Sequence, residues 1–379
     1  MSEIPATMRQ IQSLVTPEGE LRLSLATVPT PQPGEREVLV RVEAAPINPS
    51  DLLVLLAMAD VSAAVGGGSA EEPVVTAPIS EPAMRSLAAR VGEAMTVGIE
   101  GSGVVVAAGQ STEAQSLLGR AVGFLGGATY GEYCLAPARM CLPLPEGVDA
   151  VDGASSFVNP LTALGMVETM RREGHTGLVH TAAASNLGQM LNRICLADDV
   201  PLVNVIRRPE QAALLRGQGA VHVCDSSAPA FEAELVAALR ATGATLAFDA
   251  VGGGLLAGQI LNAMEQAVVP PDAPYSRYGS DVHKQVYVYG VLDPRPIELH
   301  RRFGFAWGVG GWLLTPFLAR TSREDLTRLR QRVADELTTT FASHYTDQIS
   351  LREALDVETV RRYARLATGQ KFLVRPQDA

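Results

Sequence analysis

Cysteine and aromatic residues are both scarce in this chain of 379 residues, with four cysteines and 5% aromatics. The cysteines stand singly, at Cys134, Cys141, Cys195 and Cys224. Structural zinc sites and small disulfide scaffolds need closely spaced cysteines. The spacing therefore excludes a zinc finger and a secreted disulfide scaffold, and it favours a reducing, cytoplasmic location.

Long apolar runs and an excess of positive charge are also absent. The sequence contains no stretch of about 18 apolar residues, the length needed to cross a bilayer. The first ten residues also lack the apolar core of a signal peptide. Lys plus Arg total 31 against 41 Asp plus Glu, a net charge of −10. Nucleic-acid and anionic-membrane binders carry basic surfaces. We therefore expect no nucleic-acid partner and no membrane insertion.

The first 150 residues alternate short apolar runs with turn residues, a pattern typical of antiparallel β structure. The clearest strands are predicted at 21–25, 37–44 and 101–109. The NPSD segment at 48–51 is predicted to cap a helix at 51–58. The segment 60–98 is the least regular, apart from a helix predicted at 81–93, and it is interpreted as a surface insertion.

After residue 152 strands and helices alternate. Strands are predicted at 177–181, 202–206, 220–224, 244–249 and 285–291, with helices at 187–197, 209–218, 228–241 and 254–265. Nearly all-apolar strands separated by helices imply a parallel sheet covered on both faces. We therefore expect an α/β chain in which a doubly wound nucleotide-binding domain follows a β domain.

Two features of that second region predict a dinucleotide site. The first strand ends in a run of small residues at 182–188 that could place backbone N–H groups against a pyrophosphate. Ser185 and Asn186 stand where glycine is usual, so an ordinary helix cap is the alternative. The second strand ends in Arg207 and Arg208 with no carboxylate, which favours the 2′-phosphate of NADPH over NADH. Two solvated arginines at a helix start are the alternative.

Motifs along nearly the whole chain resemble the zinc-free branch of the medium-chain dehydrogenase/reductase superfamily, the quinone oxidoreductase and enoyl thioester reductase group. In family order they are NPSD at 48–51, EGSGVV at 100–105, YGEY at 130–133, NPLTA at 159–163, VHTAAASNLGQ at 179–189, FDAVGG at 248–253 and GGWLL at 310–314.

The resemblance implies an N-terminal GroES-like β domain, residues 1–158 with 317–379, and a Rossmann NADPH-binding domain at 159–316. It assigns Asn48 to the nicotinamide ribose or substrate and Thr162 to orienting the nicotinamide. The residues that it assigns to the rest of the cofactor are Ser185, Asn186, Leu187 and Gly188 for the pyrophosphate, Arg207 and Arg208 for the 2′-phosphate, and Tyr289, Gly290, Trp312 and Leu313 for the carboxamide edge. By the family's habit, it also implies a homodimer.

The same matching predicts no metal. Zinc-dependent relatives place ligands at the positions of Asn48, Ile99 and Val158, and none of these residues is a zinc ligand here. Without a Lewis acid, hydride delivery to an already activated acceptor is favoured. We therefore expect an NADPH-dependent reductase of a quinone or another electron-poor small molecule.

Two alternatives remain open. The first is a 2-enoyl thioester reductase, although those relatives carry a catalytic tyrosine shortly after NPSD and residues 52–60 contain none. The second is a catalytically weak NADPH-binding protein, which the missing tyrosine and the departures at Ser185 and Asn186 would fit. The loop at 270–284 adds Tyr275 and Tyr278, which are interpreted as surface aromatics with no visible anchor.

Overall fold

The computed structural model describes residues 3–270 and 272–378. The chain divides into two compact units, one made of Met1–Val158 with Arg330–Ala379 and one of Asn159–Leu329. The second unit extends beyond residue 316 because Phe317 packs against the Trp312 ring and Arg328 pairs with Glu168 at 3.1 Å.

The strands are β1 (Thr7–Val15), β2 (Glu20–Pro29), β3 (Glu37–Pro46), β4 (Val65–Gly68), β5 (Pro73–Pro78), β6 (Ala94–Thr96), β7 (Glu100–Ala108), β8 (Ala121–Leu125), β9 (Tyr133–Pro137), β10 (Cys141–Pro143), β11 (Leu178–His180), β12 (Leu202–Ile206), β13 (His222–Asp225), β14 (Leu246–Asp249), β15 (Lys284–Val288), β16 (Trp307–Gly311), β17 (Asp347–Ile349) and β18 (Phe372–Val374).

The α-helices are α1 (Pro49–Leu55), α2 (Glu81–Ser86), α3 (Thr112–Gln115), α4 (Ala150–Gly153), α5 (Val158–Arg172), α6 (Asn186–Ala197), α7 (Pro209–Gly217), α8 (Phe231–Thr242), α9 (Leu256–Val268), α10 (Leu314–Arg320), α11 (Arg323–Asp335) and α12 (Val357–Ala364).

The first unit is built on two sheets. One has the order β4-β5-β2-β1-β6, and the other has the order β10-β8-β7-β3-β18-β17 with β9 also paired to β3. Seven of the ten residues of the long strand β3 are buried, so both of its faces are largely covered. The C-terminal strand β18 pairs antiparallel with the end of β3, which returns the end of the chain to this unit.

The segment 60–98 is more regular than its sequence indicated, although most of its residues are exposed as expected of a surface segment. Strands β4 and β5 form a hairpin, and β5 continues the sheet through β2 while burying Val75 and Ala77. The glycines at 66–68 hid the first strand, because glycine is depleted in strands. The helix predicted over 81–93 is also shorter and ends at Ser86.

The second unit has a six-stranded parallel sheet in the order β13-β12-β11-β14-β15-β16. Numbered within this unit, the order is 3-2-1-4-5-6, that of the doubly wound dinucleotide-binding fold. Helices α6 to α9 separate its strands along the chain, which confirms the predicted alternation. Three elements of this unit were not predicted from the sequence: α5, β16 and α10. All residues of α5 from 159 to 170 are buried, which leaves no amphipathic period, and β16 is rich in glycine.

The loop before β15 is anchored, contrary to its interpretation from sequence. Glu265 accepts hydrogen bonds from the Ser280 backbone N–H at 2.7 Å and from the Lys284 ammonium at 2.5 Å. Tyr275 and Tyr278 are 92% and 62% exposed, which confirms them as surface aromatics. No helix within the described ranges is long and apolar enough to cross a membrane.

Candidate functional site

In the first unit, Asn48 forms the N-cap of α1. Its backbone is extended, and Pro49 fills the first helical turn, where no N–H is needed. The Asn48 backbone N–H donates to Asp51 Oδ2 at 2.8 Å, and Asn48 Nδ2 donates to Glu100 Oε1 at 2.7 Å. The NPSD turn therefore fixes the Asn48 side chain against a buried carboxylate.

Glu100 opens β7 and connects three parts of the unit. Its second oxygen, Oε2, accepts the backbone N–H groups of Phe157 at 3.0 Å and Val158 at 2.8 Å. Burial raises the pKa of Glu100, while the Lys371 ammonium and these hydrogen bonds lower it. The donors to both oxygens favour the charged carboxylate.

Lys371 supplies the cation near this carboxylate. It lies just before β18, is 9% exposed, and donates from Nζ to Ser155 Oγ at 2.7 Å. Burial lowers the pKa of Lys371 to about 8, against the opposing charges of Glu100 and Asp51. Tyr345 donates to the same serine oxygen at 2.9 Å.

A second carboxylate, Asp51, lies in the same cluster. Its Oδ1 accepts the Ile99 backbone N–H at 2.9 Å. Burial, with a smaller contribution from Glu100, raises the pKa of Asp51 to about 7, although the two backbone donors oppose the rise. Tyr130 is 1% exposed and its hydroxyl donates to the Pro46 carbonyl at 3.0 Å, so it packs the core of this unit.

In the second unit, the small-residue turn leads directly into α6. Ser185 is the N-cap and its Oγ accepts the Gly188 backbone N–H at 3.1 Å. A Cβ on Gly188 would lie 2.2 Å from the Ala183 carbonyl oxygen, so only glycine fits there. Asn186 and Leu187 occupy the first two helical positions. The turn thus caps its helix and also places the four predicted residues at the N-terminus of a twelve-residue helix.

Arg207 and Arg208 follow the end of β12, and both are exposed. Their backbone N–H groups donate to Gln211 Oε1 at 3.0 and 3.1 Å, which orders the start of α7. The Arg207 cation also contributes to a lowered pKa of Asp293, although Arg295 is the main cause. The pair therefore presents two cations on an ordered strand end.

The predicted nicotinamide-side residues of this unit fall into two groups. Thr162 lies in α5. Trp312 packs on the same helix, because its Nε1 donates to Thr169 at 3.1 Å and its ring contacts Gly165. Leu313 follows Trp312 and is 64% exposed. Tyr289 and Gly290 follow β15.

Tyr289 is held by a histidine, His180. Its hydroxyl lies 2.7 Å from His180 Nε2 at the end of β11, and the two rings stack at 5.8 Å. A Cβ on Gly290 would lie 2.6 Å from the Ala250 carbonyl oxygen. The ends of β11, β14 and β15 are therefore closely packed here.

The residues that organise each cluster were not predicted from the sequence. Thr181 Oγ1 donates to Asp249 Oδ1 at 2.7 Å, and Asp249 also accepts the Val251 backbone N–H at 2.9 Å. In the first unit, Ser155, Lys371 and Tyr345 were not predicted either. One signal was available: only two of the 31 basic residues are lysines.

Metal-ligand chemistry finds no support in these residues. The three positions compared with zinc ligands do converge, because Asp51 binds the Ile99 backbone and Glu100 binds Asn48 and the Val158 backbone. Their side chains are an amide and two hydrocarbons. Over residues 3–270 and 272–378, no group of three His, Cys, Asp or Glu side chains is placed to hold a metal.

The chain is similar in sequence to a known domain family and to a known reductase. Residues 34–146 match the Alcohol dehydrogenase GroES-like domain. The chain is 27% identical over 225 residues to Prostaglandin reductase-3 of Mus musculus, an alignment covering 58% of this chain and about half, 51%, of that protein.

Two solved structures extend the likeness over the whole chain. A putative NADPH:quinone reductase from Mesorhizobium loti superposes with a TM-score of 0.74 at 26% identity, covering 99% of this chain and 100% of the other. A mycobacterial protein in complex with NADPH gives a TM-score of 0.64 at 20% identity, with 97% and 100% covered.

A GroES-like β domain followed by a doubly wound parallel sheet defines a medium-chain dehydrogenase/reductase architecture. In its GroES-like domain and in the fold over its whole length, the chain is similar to the medium-chain dehydrogenase/reductase superfamily, which confirms the resemblance and the predicted fold class.

The buried Asp51 carboxyl predicts a pH-dependent stability. Its pKa is raised on folding, so its contribution is fully present only below the unfolded value and is lost as pH rises through about 7. Relative to Asp51→Asn, the wild type should lose about 2–3 kcal/mol of unfolding free energy between pH 5 and pH 8. Urea denaturation of both proteins across this range measures the difference.

Asp60→Asn is the matched control, because Asp60 is exposed and its pKa is lowered rather than raised. Its stability curve should run parallel to that of the wild type. A parallel curve for Asp51→Asn as well would show that Asp51 does not titrate in this range.

Proposed function

We propose that this protein is a zinc-independent reductase that transfers a hydride from NADPH to a quinone or another electron-poor small molecule. The observation that carries the proposal is the Arg207–Arg208 pair at the end of β12 in a sheet of dinucleotide-binding order. A carboxylate at this place would repel a 2′-phosphate, whereas guanidinium groups bind it with two parallel hydrogen bonds.

Bound NADPH would supply the hydride, and the protein would hold the cofactor and the acceptor in position. The backbone at Ser185, Asn186, Leu187 and Gly188 offers N–H groups for the pyrophosphate at the start of α6. We assign Thr162, Tyr289, Gly290, Trp312 and Leu313 to the nicotinamide and its carboxamide. Asn48 is assigned to the nicotinamide ribose or the substrate, with its side chain oriented by Glu100.

The names of two relatives support the proposed reductase function. One is named a prostaglandin reductase and another a putative NADPH:quinone reductase, both names of reductases of small organic acceptors. Reduction of 2-enoyl thioesters is the second candidate, supported by the fold of an enoyl reductase, CurK, which superposes with a TM-score of 0.66 at 16% identity. The third candidate is an NADPH-binding protein with little turnover.

Removal of the two arginines tests the cofactor assignment. Arg207→Ala/Arg208→Ala should weaken NADPH binding by about 10- to 100-fold, the value of one or two charge-assisted hydrogen bonds at an exposed site. NADH binding should change less than threefold. Fluorescence titration gives the dissociation constants for NADPH and NADH. The rates of NADPH oxidation with 1,4-naphthoquinone and with crotonyl-CoA show which acceptor the protein reduces.

Arg216→Ala is the matched control. Arg216 is exposed at the C-terminal end of α7, the helix that Arg207 and Arg208 precede. Equal affinity of the wild type for NADPH and NADH, or binding of neither, would refute the assignment. Tight NADPH binding without turnover on a broad panel of acceptors would favour the third candidate.

We infer that the protein is a homodimer joined through the six-stranded parallel sheet of its second unit. Strand β16 ends that sheet in the strand order, and one of its edges has no partner strand among the described residues. An unpaired edge is a template for pairing with a second copy. Light scattering at micromolar concentration should give twice the 40.1 kDa chain mass, and a monomeric mass would contradict the inference.

A further inference from the structure

The segment that follows β15 returns to the end of β14 and is bound there. This strap, residues 292–298, pairs with the segment 250–254 through backbone hydrogen bonds. They run from Leu292 N–H to the Ala250 carbonyl at 3.3 Å, from Asp293 N–H to the Val251 carbonyl at 2.9 Å, from Gly254 N–H to the Pro296 carbonyl at 3.0 Å and from Glu298 N–H to the Gly254 carbonyl at 2.9 Å. The strap is therefore an ordered part of the second unit.

The glycines that follow β14 allow this close approach. A Cβ on Gly253 would lie 2.4 Å from the carbonyl oxygens of both Asp293 and Arg295. A Cβ on Gly254 would lie 3.0 Å from Arg295 Nη2, and φ at Gly254 is 68°, a conformation that other residues rarely adopt. These glycines are thus accounted for by the strap that covers them.

The strap holds an arginine and a carboxylate as a fixed pair. Arg295 Nε donates to both oxygens of Asp293 at 3.0 Å, and Nη2 donates to Oδ2 at 2.6 Å. The Asp293 side chain is 19% exposed, whereas that of Arg295 is 73% exposed. Among the described residues, Arg295 Nη1 has no hydrogen-bond partner. One edge of the guanidinium is therefore oriented and open to a ligand.

The register of the parallel sheet places this pair level with Arg207. The register aligns three residues of neighbouring strands: Asn204 of β12, His180 of β11 and Phe248 of β14. Arg207 and Val251 each lie three residues beyond that line, and Val251 is the residue to which Asp293 is bound. Strands β12 and β14 are two strand spacings apart, about 10 Å. Side chains from both ends can therefore reach one group between them.

The charges at this edge agree with that placement. The Arg207 cation contributes to the lowered pKa of Asp293, which falls to about 2 mainly because of Arg295. Within the described ranges, the Arg207 guanidinium has no hydrogen-bond partner. Arg207, Arg208 and Arg295 thus place three positive charges at the edge, and Asp293 offsets one of them.

We propose that Arg295 is a third cation for the 2′-phosphate of NADPH, a specificity-determining residue that acts together with Arg207 and Arg208. Asp293 is its positioning residue, because it fixes the guanidinium through two nitrogens. All of these residues belong to the second unit. This inference rests on the proposed NADPH-dependent function.

A phosphate suits such an arrangement better than a hydroxyl does. A phosphate monoester carries about −1.5 to −2 charges at neutral pH and offers three acceptor oxygens, more than one guanidinium can satisfy. Charge-assisted hydrogen bonds from separate arginines can bind different oxygens. The 2′-hydroxyl of NADH is neutral and gains little from a further cation. Arg295 should therefore separate the two cofactors instead of strengthening the binding of both.

Arg295→Ala tests the proposal directly. We expect the dissociation constant for NADPH to rise by about 5- to 20-fold, the effect of one charge-assisted hydrogen bond at an exposed site. The constant for NADH should change by less than about twofold. Fluorescence titration measures both. An equal loss for the two cofactors would indicate a role in adenine binding or in the fold of the strap, and it would overturn the proposal, as would unchanged binding of both.

Asp293 requires a second background, because its unpaired carboxylate would itself repel a phosphate in Arg295→Ala. Asp293→Asn removes that charge, and Arg295→Ala is repeated in this variant. We expect the loss of NADPH affinity to persist at about fivefold or more. If the loss disappears, Arg295 only neutralises Asp293, and the proposal fails.

Fragments of the cofactor locate the effect at the 2′-phosphate. Adenosine 2′,5′-bisphosphate and 5′-AMP differ only in that group. By isothermal titration calorimetry, Arg295→Ala should weaken the bisphosphate by about 5- to 20-fold and leave 5′-AMP within about twofold, and equal losses would contradict the assignment. Arg302→Ala is the matched control, since Arg302 is exposed farther along the same segment and its backbone is bound to Asn262 in α9.

The cofactor preference of the wild type separates this inference from the proposed function. A wild type that binds NADPH no better than NADH would refute the cofactor assignment itself. A preference for NADPH that is lost in Arg207→Ala/Arg208→Ala but kept in Arg295→Ala would leave the proposed function standing and overturn the role of Arg295.

Discussion

The buried carboxylate of Glu100 is the constraint around which the first unit is organised. A charge taken out of water costs several kcal/mol unless hydrogen bonds and an opposite charge compensate it. Glu100 has both, with Asn48 and two backbone N–H groups as donors and Lys371 as the nearby cation. This compensation fixes three segments far apart in sequence: the α1 cap, the entry to α5 and the last strand.

The second unit applies the same principle at the carboxyl ends of its strands. Asp249 is 1% exposed and accepts the Thr181 hydroxyl together with the backbone that follows β14. The ends of β11 and β14 are thereby tied together beside the turn that begins α6. Each unit thus has a buried carboxylate that orders backbone from neighbouring elements, and the proposed substrate and cofactor residues lie next to these ordered segments.

Much of this architecture could be predicted from the sequence, because local patterns carry it. The parallel strands β12 and β14 are short apolar runs between helices, and Ser185 to Gly188 form the expected turn. Helix α5 could not be found in this way since it is buried on all sides. The Ser155 contacts to Tyr345 and Lys371 join residues 190 and 216 positions apart. No local pattern predicts such pairs, and only the scarcity of lysine pointed to one of them.

The central claim is that the charges of Glu100 and Lys371 depend on each other. A double-mutant cycle of Glu100→Gln, Lys371→Met and the combined variant, measured by urea denaturation at pH 7, tests this dependence. We expect each single change to destabilise the protein and the combined change to cost less than their sum by at least about 1 kcal/mol, since it leaves no buried charge uncompensated. Additive losses would contradict the account.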